Sequence, residues 1–138
     1  MNAMNTAISR IGVVPVIKLN HPERDAVGLA KALCAGGVPV AEVTFRAAGA
    51  DKAIKLMKEA CPDMFVGAGT VTNTAQIDAV IAAGGISLKN LKEYLSCPVI
   101  AACGGSYMVT ADRIDNNKWD EITELCRKSR EIVEEARA

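Results

Sequence analysis

The chain has 138 residues, enough for one domain with a real core and too few for two, and it is read as a single domain over 1–138. Half of its residues are apolar and 23% are charged, a balance that excludes a disordered chain. Lys and Arg (16) equal Asp and Glu (16) and aromatics are 4%, which excludes a nucleic-acid partner and a membrane-surface partner, since both need a basic excess.

Val13-Val14-Pro15-Val16-Ile17 is a continuous apolar run and reads as a strand buried on both faces. Asn20, His21 and Pro22 then give a helix start, and Gly36-Gly37 ends a helix carrying Val27, Ala30, Leu33 and Cys34. Val40 to Phe45 is the second strand, with Val40, Glu42 and Thr44 on one face. A helix over 50–60 precedes a short strand, Met64 to Val66, which runs into Gly67-Ala68-Gly69-Thr70. Thr72 or Asn73 caps an expected third helix with Ile77, Val80 and Ile81 on its apolar side, stopped by Gly84-Gly85. Leu88 to Leu95 reads as a further helix, Pro98 to Cys103 as the fourth strand, and Trp119 to Ala136 as the last helix, with Ile122, Leu125, Cys126, Ile132 and Val133 in its stripe. The pattern is βα repeated four times with one extra helix, so the expected fold class is α/β with four parallel strands.

Five cysteines stand singly at 34, 61, 97, 103 and 126. Their number is odd and no C-x-x-C pair occurs, so neither a disulfide framework nor a metal site is expected, and reduced thiols in a cytoplasm fit the composition. No apolar run approaches the ~20 residues of a membrane span, and Met1 to Ile11 lacks the layout of a secretory signal. No cofactor is expected. With His21 as the single imidazole, a histidine-based relay has little to work with; that residue reads as part of a helix start.

Gly36-Gly37-Val38-Pro39-Val40-Ala41-Glu42-Val43-Thr44-Phe45-Arg46, followed by Val66-Gly67-Ala68-Gly69-Thr70-Val71, resembles the KDPG/KHG aldolase family. Val14 to Ile17, Gly84-Gly85-Ile86-Ser87 and Val99 to Ser106 resemble further blocks of that family, in the same order. The resemblance implies a TIM barrel and a class I aldolase that releases pyruvate. It also implies a departure. After Ala83 the chain jumps to the helix before the family's eighth strand, so strands four to seven are expected to be missing, together with the strand-six lysine that forms the Schiff base.

The resemblance gives Glu42 the role of general acid/base, for which a carboxylate at a barrel mouth is suited; a structural ion pair with Arg46 is the alternative. It gives Arg46 the substrate carboxylate, which a guanidinium can grip in two-point fashion. Thr70 resembles the family's pyruvate-contacting threonine. Gly104, Gly105 and Ser106 resemble its phosphate turn, where glycines expose backbone N–H groups to an anion. Gly84-Gly85 resembles the other half of that site; with its strand gone, a helix end is the expectation. Lys18, just past the first strand, is a substrate-binding candidate and a substitute Schiff-base nucleophile.

Four parallel strands with helices on one face leave the other face wet and two edges unpaired. A doubly wound monomer is one solution. The other is a C2 homodimer: strands eight, one, two and three form one contiguous half of a TIM (β/α)8 barrel, and a twofold axis along the barrel completes eight strands. The expected partners are a second copy and a small anion, a phosphate or a 2-oxo acid. Aldolase activity is expected to be lost or weak; an active minimal aldolase using Lys18, or a self-assembling half-barrel without catalysis, are the alternatives.

Overall fold

The computed structural model describes residues 3–44, 49–68, 80–83, 85–98 and 100–138. In chain order these form α1 (Ala3–Ile11), β1 (Val13–Ile17), α2 (Pro22–Ala35), β2 (Val40–Val43), α3 (Ala50–Ala60), β3 (Phe65–Ala68), β4 (Val80–Ala83), α4 (Leu91–Leu95), β5 (Ile100–Gly105), α5 (Ala111–Asp115) and α6 (Trp119–Ala136). Helices α2, α3 and α6 fall where Pro and Gly punctuation and 3.6-residue spacing place them. Helix α1 has no counterpart in the sequence reading; Ile8 and Ile11 are buried among its described side chains, and Arg130 of α6 donates to the carbonyls of Arg10 and Ile11, both at 2.8 Å, satisfying groups at its end.

One expectation is overturned. Val80 to Ala83, expected on a helix, is strand β4, paired in parallel with β5 through Val80↔Ile100, Ile81↔Ala102, Ala82↔Cys103 and Ala83↔Gly104. A four-residue apolar run fits either period, and here long-range pairing decides it. The sheet therefore has five parallel strands, not four, in the order β3-β2-β1-β5-β4.

That order also excludes the doubly wound alternative. The steps β1→β2→β3 and β4→β5 move the same way across the sheet. Right-handed crossovers that progress in one direction put their helices on one face. The packing agrees: α3 lies against α2, α2 against α6 and α6 against α4, following the strands they cover. The sheet is a singly wound arc, as in a barrel wall.

Register and alternation put Val14, Val16, Val40, Glu42, Ala102 and Gly104 on one face. The expectation that this face stays wet is not met: Val14, Val40 and Ala102 are fully buried and Glu42 is 5% exposed within the single chain. Of the thiols, Cys103 and Cys126 are buried in the core, whereas Cys97 is exposed.

Candidate functional site

The C-terminal ends of the five strands gather the residues of interest. Strand β5 ends in Gly104 and Gly105, opposite Val14 and Pro15 of β1, and Ser106 follows as an exposed residue. On the other side of β5, β4 ends beside Gly104 and leads to Gly85, whose φ of +68° only glycine adopts readily. These two turns meet. Gly85 and Ile86 on one side, Gly104, Gly105 and Ser106 on the other, line one cleft of about 470 Å³, with Val16 from β1 and with Tyr107 and Thr110 beyond the turn. The expectation that Gly84-Gly85 merely ends a helix is thus corrected: Gly85 follows a strand and faces the second glycine turn across a shared cavity. Gly84 itself lies outside the described residues.

The wall of this cleft is held from behind. The Tyr107 hydroxyl and Ser129 Oγ share a hydrogen bond of 2.5 Å, and Ser129 Oγ also donates to the Leu125 carbonyl at 2.7 Å. Burial, only partly opposed by the serine bond, pushes the Tyr107 hydroxyl up to about 12. Its polar end is therefore tied into α6, and the turn 106–110 is anchored on a buried bond.

Glu42 lies on β2, opposite Val16 of β1 and Gly67 of β3. It is one strand away from the cleft, about 5 Å in the hydrogen-bonding direction. Thr44 extends the β1–β2 pairing by donating its N–H to the Ile17 carbonyl at 2.9 Å. Lys18 is exposed, one residue past β1. Arg46 and Thr70 lie outside the described residues. None of the five strands carries a lysine. Among the described residues no group of three or more His, Cys, Asp or Glu side chains could hold a metal.

Tyr107, Thr110 and Ile86 were missed as lining residues. A signal for β4 was present. The runs Val80-Ile81-Ala82-Ala83 and Ile100-Ala101-Ala102-Cys103 each lead into a Gly-Gly pair, a repeat of strand followed by glycine turn.

The family model for KDPG and KHG aldolase matches residues 4–85 and again 79–125, its second segment starting just before β4. The chain belongs to the KDPG/KHG aldolase family. The 2-dehydro-3-deoxy-phosphogluconate aldolase of Dickeya dadantii is 31% identical over 192 residues, covering 85% of this chain and 90% of that one. The KHG/KDPG aldolase of Escherichia coli is 28% identical with the same coverage. Among solved structures, the KDPG aldolase of Legionella pneumophila, crystallised with pyruvate captured as a covalent carbinolamine, superposes with a TM-score of 0.78 at 26% identity, over 91% of this chain and 97% of that one.

These spans bridge a gap. An alignment of 192 positions that uses 85% of 138 residues, about 117, leaves about 75 positions with no counterpart here. The chain is therefore a shortened member of the family.

Proposed function

We propose that this aldolase-family chain binds small anions, phosphate esters or 2-oxo acids, at the C-terminal mouth of its arc, and that carbon–carbon lyase turnover is lost or weak. The observation that carries this reading is the meeting of Gly85 with Gly104-Gly105-Ser106 in one cleft at the ends of neighbouring parallel strands. Glycine turns at such a place leave backbone N–H groups for an anion. In this reading Ser106 adds a hydroxyl, Lys18 adds charge at the rim, Arg46 takes a carboxylate, Thr70 contacts a 2-oxo group and Glu42 remains the acid/base. The five lysine-free strands support the loss of turnover, since a Schiff base needs an amine inside the mouth. An active minimal aldolase would have to use Lys18, which is exposed rather than desolvated. The cytoplasmic setting suggested by the thiols stays part of the proposal.

Calorimetric titration with inorganic phosphate and with pyruvate tests the reading. Saturable binding, weakened by Ser106→Ala for phosphate and by Arg46→Ala for pyruvate, is expected. No heat from either ligand overturns it.

A second reading concerns self-association. β3 and β4 are the two ends of the strand order, and a twofold axis along the arc would set β3 of one copy beside β4 of the other. With five strands per chain such a dimer closes ten strands, so the eight-stranded ring expected from four no longer follows. Its support is the pair of sheet edges alone, because the concave face is already buried in one chain. Sedimentation at micromolar protein decides it: a two-chain mass supports edge pairing and a one-chain mass removes it.

A further inference from the structure

We propose that Cys34 and Cys61 form a covalent modification site at the end of the arc opposite the mouth, where a small-molecule disulfide such as oxidised glutathione converts the two thiols into a bond that pins α2 to α3. The site does not depend on what the mouth binds.

Topology brings the two residues together. Helix α2 leads into β2 and α3 leads into β3, and β2 and β3 are parallel neighbours. The two helices pack against each other. Cys34 stands in the last turn of α2, and Cys61 is the C-terminal cap of α3. The loops that follow them run side by side, with the Phe65 N–H donating to the Pro39 carbonyl at 3.0 Å. The two thiols share a hydrogen bond. Both are half-buried, so solvent reaches them, whereas Cys103 and Cys126 are closed off in the core. Cys97 is exposed, but it precedes β5, which lies two strands away from β2.

The backbones on either side are held. The Cys34 carbonyl accepts the Gly37 N–H at 3.0 Å. The Cys61 N–H donates to the Met57 carbonyl at 2.9 Å, and the Cys61 carbonyl accepts the Met64 N–H at 3.0 Å. Lys58 Nζ donates to the carbonyls of Pro62 and Met64 at 2.8 and 2.6 Å, tying the loop after Cys61 back to α3. Two groups fixed in this way meet at a high effective concentration.

Burial, with the Cys61 thiol alongside, pushes Cys34 up to about 12. Cys34 therefore stays protonated, and the first attack falls to Cys61. The Cys61 thiolate attacks one sulfur of the small disulfide, whose S–S bond breaks. One small thiolate leaves, and Cys61 carries a mixed disulfide. Cys34 then gives its proton to water, and its sulfur attacks that of Cys61, expelling the second small thiolate. The chain loses two hydrogens, and the small disulfide is reduced to two thiols. Excess small thiol runs the exchange backwards. The new bond closes a loop over 34–61 that contains β2 and removes freedom from the unfolded chain.

The experiment uses the full chain carrying Cys97→Ser, which removes the exposed thiol that would react between molecules. It is incubated with oxidised glutathione, and intact mass, a non-reducing peptide map and a thermal melt follow. The expected product is a single chain lighter by two hydrogens, with no glutathione retained and with peptides 34 and 61 linked. Its melting temperature should rise by about 10 °C, and reduced glutathione in excess should return it to the starting value. Adding Cys34→Ala should stop the reaction at glutathione held on Cys61, with no gain in melting temperature. Free thiols after prolonged exposure, glutathione retained on Cys61 while Cys34 is present, or a bond to Cys103 or Cys126 would each overturn the inference and leave the pair as packing. If the Cys34→Ala chain fails to fold, the peptide map of the Cys97→Ser chain decides alone.

Discussion

Asn117 donates its side-chain amide to the Asp25 carboxylate at 2.8 Å, joining the first turn of α2 to the turn before α6 across 92 residues of sequence. Arg24 holds the same carboxylate through two contacts at 2.7 and 2.9 Å, and also reaches the Asp115 carbonyl. Asp25 is fully buried. Burial by itself would raise its carboxyl, but the Arg24 and Asn117 hydrogen bonds outweigh it and hold the group below the ordinary carboxylate value. The stability this gives is complete above that ordinary value of 3.8 and is lost as pH falls through the lower folded-state value. Asp25→Ala is expected to cost about 2 kcal/mol, since Asn117 loses its acceptor while half-exposed Arg24 can return to water. Thermal melts from pH 7 down to pH 3 check both statements: the wild type should lose stability most steeply below pH 4, and the variant less steeply.

Tyr107 is the second titrating anchor. Its raised value means that the folded chain prefers the neutral hydroxyl, so its contribution is complete below the ordinary tyrosine value of 10.0 and is lost as pH rises through about 12. An ultraviolet titration of the two tyrosines should show a late phase near pH 12, absent in Tyr107→Phe. That variant should also lose about 1 kcal/mol, the net value of the bond to Ser129. A single early phase removing both tyrosines would contradict the buried assignment.

Gly36 ends α2 where α6 crosses closely. A Cβ there would lie 2.7 Å from the Thr123 carbonyl and would collide with Cys126. The two helices cannot part freely, because Thr123 also bonds the Ala32 carbonyl at 2.9 Å. Gly36→Ala is expected to destabilise by roughly 1–3 kcal/mol, the cost of forcing an extra carbon into a packed contact. Urea unfolding with an unchanged m-value and a lowered midpoint is the expected result.

What could be read from residue order alone was whatever local chemistry decides. Pro22 and Gly36-Gly37 fix the bounds of α2, and the apolar spacing of α6 matches its buried side except at Ser129, whose burial comes from the Tyr107 bond. Val80 to Ala83 failed because a short apolar run carries no period of its own; its pairing with a strand some twenty residues later makes it a strand. A four-strand arc, an eight-stranded dimer and a Gly84-Gly85 helix end all follow from reading that run as a helix. Gly104-Gly105-Ser106 is legible because the turn is local, whereas its facing partner Gly85 and the support from Tyr107 are set by tertiary packing. Asn20, part of the helix start read from the sequence, donates its side-chain amide to Asp115, a contact between residues far apart in sequence.

The central claim is that the arc keeps an anion cleft but has no amine inside it to form a Schiff base. Reduction with borohydride in the presence of pyruvate, followed by intact mass measurement, tests this most directly. The account predicts an unchanged mass. A gain of one reduced pyruvate mapped to a lysine, Lys18 foremost, would contradict it and establish covalent chemistry in this shortened member of the family.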